Sequence, residues 1–200
     1  MLRKVLYCSL LVFLILSLNA QTRKDQPKYK NSSITIEERV NDLLSRMTLE
    51  EKIAQLQCSM KRAELEKVIS KSGLGGVGPV LRSSIAREAA EKANAIQRVA
   101  VEKSRLGIPV IIHDEALHGL IGNGATSFPQ AIGLAATWDA DLVSEVAAVV
   151  AKETRSRGIR QVLSPVVNIA RDVRWGRVEE TYGEDPYLQS RIGVAFCKPI

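Results

Sequence analysis

The sequence predicts an α/β fold: the N-terminal part of a (β/α) TIM-type barrel with a helical lead-in. Three observations predict it. Short apolar runs rich in β-branched residues alternate with longer runs of helical periodicity, the pattern of parallel strands joined by helices. Two of the strand-like runs end in dense polar residues, where a (β/α) barrel presents its chemistry. The densest is Gln161 to Pro186, QVLSPVVNIARDVRWGRVEETYGEDP: an apolar stretch, then a loop with Arg171, Arg174, Trp175, Gly176 and Arg177, then the acidic helix start Glu184-Asp185-Pro186. A closed eight-stranded barrel needs about 250 residues, and only three strands are legible. Ala195 to Ile200 resembles a helix cut in mid-course, so the expectation is an incomplete barrel. The alternative is a complete small α/β domain with a frayed end.

Residues 1–20 read as a secretory signal. Arg3 and Lys4 precede the apolar run Val5 to Leu18, and Ala20 is a plausible cleavage position. The run is shorter than the roughly 20 residues of a membrane span; an uncleaved anchor is the alternative. Residues 21–33 are polar and read as a linker, and residues 34–200 as the barrel domain. Export implies a periplasmic or extracellular location.

Within the lead-in, Thr35 with Glu38 and Thr48 with Glu51 fit two capping boxes. Val40, Leu43, Leu44 and Met47 make one stripe of the first helix. Leu49, Ile53 and Leu56 are expected to face inward from the second. A short helix over residues 63–72 precedes GGVGPV, read as the first strand, with glycines that allow close packing. That run lacks the spacing of a phosphate loop. Ile85 to Lys103 is a long Ala-rich helix. Val110 to Ile112 is a buried strand ending in HDEALHG, which carries both histidines of the chain. Asp139 caps a helix over residues 140–157, ended by Gly158. Val162 to Ile169 is the third strand.

The net charge is +6, from 28 basic and 22 acidic residues. Without Arg3 and Lys4 the 28 become 26, and the charge +4. The basic residues are scattered with no aromatic interleaving, which argues against nucleic-acid binding. Cys58 and Cys197 fit no metal spacing; they are two buried thiols or a disulfide. No cofactor is implied.

Two strand ends carry candidate chemistry. The first holds His113, Asp114, Glu115 and His118. Metal binding is one reading, although the histidines lack the spacing of HExxH. Acid–base work by adjacent carboxylates is another, although neighbouring residues on a strand point to opposite sides. Hydroxyl recognition suits Glu115, because a carboxylate accepts strong charge-assisted bonds. A salt bridge to a loop arginine suits Asp114. At the second end, Arg171, Arg174 and Arg177 could grip hydroxyls or anions. Trp175 could stack on a sugar or fill a loop. Glu179 and Glu180 read as ion partners of the same arginines.

At these residues the sequence resembles glycoside hydrolase family 3, the β-glucosidase and β-xylosidase group. The matching runs are MTLEEKIAQL, GIPVIIHDEALHG, TSFPQAIGLAATWD and SPVVNIARDVRWGRVEETYGEDPYL. The resemblance implies an N-terminal (β/α) barrel followed by an α/β sandwich domain. The implied activity is retaining hydrolysis of terminal non-reducing β-D-glycosyl residues from an oligosaccharide or aryl β-glycoside. Two carboxyl groups about 5–5.5 Å apart share that work. In the family the nucleophile lies late in the barrel and the acid/base in the second domain, so neither catalytic residue is expected within these 200. The partner then needed is the rest of the same polypeptide. Two substrate-binding residues carry over: Glu115 in EALHG, which would hold sugar hydroxyls, and Arg177 in RWGR, which would bind the same ring. Many β-glucosidases of the family have aspartate where Glu115 stands, and glutamate resembles members that accept xylosides. The alternatives are a non-catalytic sugar-binding barrel and a β-N-acetylglucosaminidase of the same family.

Overall fold

A computed structural model of the chain describes residues 26–200. The stretch read as a secretory signal lies outside the described residues. The chain divides into two compact units, one up to Lys52 and one from Ile53 to Ile200.

In the first unit, a 3-10 turn over Lys28–Lys30 precedes α1 (Ile36–Arg46). Asp42 accepts from the Tyr29 N–H at 3.0 Å, and Arg39 Nε donates to the Tyr29 carbonyl at 2.9 Å. Both halves of the Thr35–Glu38 capping box form. Thr48 and Glu51 likewise exchange bonds of 2.9 and 3.2 Å, where α2 (Leu49–Gln55) begins. The stripe of α1 is partly covered, with Leu43 and Met47 half-buried, and the inward reading of the second stripe does not hold. Val40 and Leu44 are 42% and 46% exposed, and Leu49, Ile53 and Leu56 are 68%, 48% and 89% exposed rather than inward. Periodicity decides which side chains share a helix face; it does not supply a layer to cover that face.

The second unit is built on one sheet of four parallel strands in chain order: β1 (Cys58–Ser59), β2 (Gly76–Val77), β3 (Ile111–Asp114) and β4 (Gln161–Val162). Successive parallel neighbours are how the staves of a (β/α) barrel follow one another. Strand β1 was not expected. Two residues, neither of them β-branched, leave no period to read. The third expected strand is shorter than Val162 to Ile169. Only Gln161–Val162 joins the ladder, and Pro165 has no N–H to continue it. The chain beyond is held by Gln189 Nε2 donating to the Val166 carbonyl at 3.1 Å and the Ala170 N–H to the Gly183 carbonyl at 3.1 Å.

The two sheet faces differ. Val77 and Ile112 are at most 1% exposed and share a core with Leu65 and Ile69 of α3 (Leu65–Ser72) and Ala89 and Ala93 of α4 (Ala86–Arg98). Burying such a side chain contributes about 1.5–3 kcal/mol. The residues that alternate with them, Cys58, Ile111 and Gln161, are exposed. Helix α4 passes into a π-helical turn at Val99–Lys103 instead of running on as one α-helix.

A second core joins α5 (Ala131–Ala135), α6 (Ala140–Ser156) and α7 (Pro186–Cys197) through Leu134, Val143, Val150, Ile192 and Phe196. Asp139 caps α6, accepting from the N–H groups of Asp141 and Leu142 at 3.0 Å each. Gly158 follows its end at φ +82, and a Cβ there would lie 2.6 Å from Ala93 Cβ. Asp185 caps α7 with Pro186 in its first turn. No helix of the described residues is long and apolar enough to cross a membrane.

Candidate functional site

The residues after β2, β3 and β4 meet at one end of the sheet. After β2, Gly78 brings its backbone against β3: a Cβ there would lie 2.0 Å from the His113 carbonyl oxygen. The glycines of GGVGPV therefore serve close packing. Arg82 follows and turns back to β3. Its Nε and Nη2 donate to one oxygen of Asp114 at 2.8 and 2.7 Å. The same oxygen accepts the Glu115 N–H at 2.7 Å. Asp114 is 2% exposed, so this buried carboxylate has the counter-charge it needs, with all three bonds falling on one of its oxygens. Its role is structural, and Arg82 is the loop arginine it needs.

Glu115 is different. Its carboxylate makes no hydrogen bond and no ion pair among the described residues, and the side chain is half-buried. Its backbone is fixed on both sides. The Ile121 N–H donates to its carbonyl at 3.1 Å, and the following Ala116 N–H donates to Ser164 Oγ at 3.1 Å, tying the end of β3 to the segment after β4. His118 Nδ1 lies 3.0 Å from the Phe128 carbonyl, which holds the EALHG loop on the glycine-rich loop beyond it. His118 is thus a loop brace. A carboxylate held in place by its backbone with both oxygens unengaged is suited to accept hydroxyl donors.

The loop after β4 carries two local ion pairs. Arg174 grips Asp172 through contacts of 2.6–3.1 Å. Arg177 grips Glu180 through contacts of 2.6–3.0 Å on a 3-10 turn, Val178–Glu180. The Glu180 carboxylate holds the Arg177 guanidinium above its ordinary range, and the charge of Glu115 adds to the effect. Arg177 in turn draws Glu180 below the usual carboxylate range. Glu115 and Arg177 are therefore close enough for their charges to act on each other. They arrive from adjacent strands, whose register pairs Asp114 with Val162. Nη1 of Arg177 makes no bond among the described residues, so one face of the fork remains for a ligand. Glu180 is the partner of Arg177, whereas Glu179 is exposed and forms no ion pair there. Trp175 is half-buried in the same loop.

Two residues that hold the loops at this end of the sheet carried no sequence signal. Gln189 is 3% exposed in α7 and accepts the Tyr182 N–H at 3.0 Å while donating to Val166. Arg157 is 3% exposed and donates to the carbonyls of Ser84 and Asn123 at 2.9 and 3.0 Å, joining the loops after β2 and β3. Neither lies in a motif, and a polar residue inside an amphipathic helix ordinarily reads as surface. Among the described residues no group of three or more His, Cys, Asp or Glu side chains is placed to hold a metal. Cys58 and Cys197 are both free and exposed, not buried or bonded to each other.

Comparison with known proteins gives a consistent result. Residues 48–200 match the model of the glycosyl hydrolase family 3 N terminal domain. A beta-glucosidase C of Emericella nidulans is 37% identical over 86% of this chain and 31% of its own length. A beta-xylosidase of Formosa agariphila is 36% identical over 90% of this chain and 19% of its own. The solved structure of the β-glucosidase EmGH1 from Erythrobacter marinus superposes with a TM-score of 0.77 at 36% identity, over 86% of this chain and 24% of that one. The chain thus spans about a fifth to a third of the length of these relatives.

Proposed function

The chain belongs to glycosyl hydrolase family 3, and from that premise we propose that it forms the sugar-binding part of an exported exo-acting β-glycosidase of the β-glucosidase or β-xylosidase type. The reaction is retaining hydrolysis of a terminal non-reducing β-D-glycosyl residue. Glu115 accepts hydrogen bonds from two hydroxyls of the departing ring, and Arg177 donates to the same ring from the neighbouring loop. Neither performs the bond cleavage. The nucleophile and the proton donor, about 5–5.5 Å apart in a retaining enzyme, come from chain beyond these 200 residues. The observation that carries the reading is the unengaged Glu115 carboxylate just past the end of β3, within electrostatic reach of the Arg177 guanidinium in the loop that follows β4.

The glycone class is that of a β-glucoside or β-xyloside, in line with the names of the relatives. Glutamate at position 115 reaches further than aspartate and shifts the preference towards the smaller xylosyl ring. The apolar run of residues 5–18 behind Arg3 and Lys4 supports export.

The test is a panel of aryl β-glucosides and β-xylosides given to the full polypeptide and to Glu115→Ala. Each charge-assisted bond to a sugar hydroxyl contributes about 1.5–3 kcal/mol. Losing two therefore lowers kcat/KM by roughly 100-fold or more, with the melting temperature little changed. An unaltered kcat/KM removes Glu115 from the site. Absence of hydrolysis across the panel by the wild-type polypeptide sinks the glycosidase reading.

A further inference from the structure

Arg157 follows the last turn of α6 and is 3% exposed. A cation buried that deeply ordinarily has a carboxylate beside it. This one has none. Among the described residues Arg157 forms no ion pair, and its Nε makes no hydrogen bond. Its two bonds go to main-chain carbonyls, Nη1 to Ser84 at 2.9 Å and Nη2 to Asn123 at 3.0 Å. An apolar side chain of similar size would fill the same place without burying a charge. Packing alone therefore does not account for an arginine here, and the two acceptors must.

Those acceptors lie on the two segments that hold the Glu115 backbone. Ser84 closely follows Arg82, whose guanidinium holds the Asp114 oxygen that accepts the Glu115 N–H. Asn123 closely follows Ile121, whose N–H donates to the Glu115 carbonyl at 3.1 Å. The Asn123 N–H also donates to the Arg82 carbonyl at 2.7 Å, so the two segments meet directly. Gly122 runs against the guanidinium: a Cβ there would lie 3.5 Å from Nη1. Both main-chain groups of Glu115 thus trace back, within a few bonds, to one planar fork. Because that fork is rigid, fixing one carbonyl fixes the place of the other.

We propose that Arg157 is a positioning residue for Glu115: it sets the spacing of the loops after β2 and β3, and through Arg82, Asp114 and Ile121 it fixes where the Glu115 carboxylate meets a sugar hydroxyl. The proposal rests on the reading of Glu115 as a sugar-binding residue. Arg157 itself touches no substrate and moves no proton. Lysine cannot replace it, because a single ammonium lacks the fork that spans two carbonyls. A binding group displaced by about 1 Å can cost roughly 100-fold in rate. Glu115 keeps its bonds to Asp114 and Ile121 when the fork is lost, so its displacement is smaller and about tenfold is expected.

The experiment measures kcat/KM of the full polypeptide on whichever aryl β-glucoside or β-xyloside the wild type hydrolyses. Arg157→Leu and Arg157→Lys are made alone and together with Glu115→Ala, and rates are scaled to folded protein by circular dichroism. Arg157→Leu is expected to lower kcat/KM about tenfold while Glu115 is present, and by less than about twofold once Glu115 is replaced. Arg157→Lys keeps the charge and the packing of the stem, so it is expected to fold and to show the same dependence on Glu115, with a fall of about three- to tenfold. A residue that only supports the fold lowers the amount of folded protein and acts alike in both backgrounds. Equal factors in the two backgrounds overturn the proposal, as does a kcat/KM within about twofold of wild type for both single Arg157 variants; either result leaves Glu115 in the site. An unaltered kcat/KM for Glu115→Ala alone instead removes the sugar-binding reading, and this proposal with it.

Discussion

Replacing Arg82 with alanine strands the buried Asp114 carboxylate at the end of β3. Asp114 is 2% exposed, and Arg82 reaches one of its oxygens twice, at 2.8 and 2.7 Å. Removing one member of a buried ion pair costs about 3–5 kcal/mol. Two features reduce that figure here. The Arg82 side chain is 37% exposed, so water already screens the pair. Asp114 also keeps the Glu115 N–H at 2.7 Å. The expected loss is therefore about 2–3 kcal/mol, below the fully buried case. With a urea dependence of about 2 kcal/mol per molar, the unfolding midpoint falls by roughly 1–1.5 M. Urea titrations followed by circular dichroism, on Arg82→Ala, Asp114→Asn and the double variant, measure it. Once Asp114 is neutral, the further loss of Arg82 should cost under about 1 kcal/mol, because no stranded charge remains. A single-variant loss below about 0.5 kcal/mol, the scale of an exposed pair, would refute the assignment of Arg82 and Asp114 as a buried structural pair.

Further expectations rest on the second core and on the helix junction. The Tyr182 hydroxyl is buried without a partner among the described residues, so Tyr182→Phe should leave stability unchanged or raise it by about 1 kcal/mol in thermal or urea unfolding. Burial, aided by Cys197, pushes the Tyr182 phenol well above its usual range. The unfolded chain releases that proton near pH 10 while the folded chain keeps it. Stability from this group is complete below that pH and is lost as pH rises further, and Tyr182→Phe should flatten that alkaline decline. Gly158→Ala forces a left-handed φ on a side chain and sets its Cβ 2.6 Å from that of Ala93. Strain and overlap together should cost about 2–4 kcal/mol, and a melting temperature within error of wild type would show that α4 and α6 can separate there at no cost.

Much of the scaffold could be read from residues alone because its signals are local. Both capping boxes, the Asp139 cap, the helix start at Glu184-Asp185-Pro186 and the Gly158 stop depend on neighbours within a few positions. Alternation of β-branched and helical runs suffices to imply a parallel sheet, and the motif runs around Glu115 and Arg177 suffice for the family. Three matters required the folded chain. The division of labour between Asp114 and Glu115 follows from Arg82, which lies 32 residues upstream of Asp114 and returns only through the β2–β3 pairing. Leu49, Ile53 and Leu56 look inward by period yet are exposed, because amphipathicity describes one helix whereas burial requires a second surface. Cys58 and His113, 55 residues apart, meet because two parallel strands flank a glycine strand in register. Sequence spacing records distance along the chain. Only pairing turns it into distance through space.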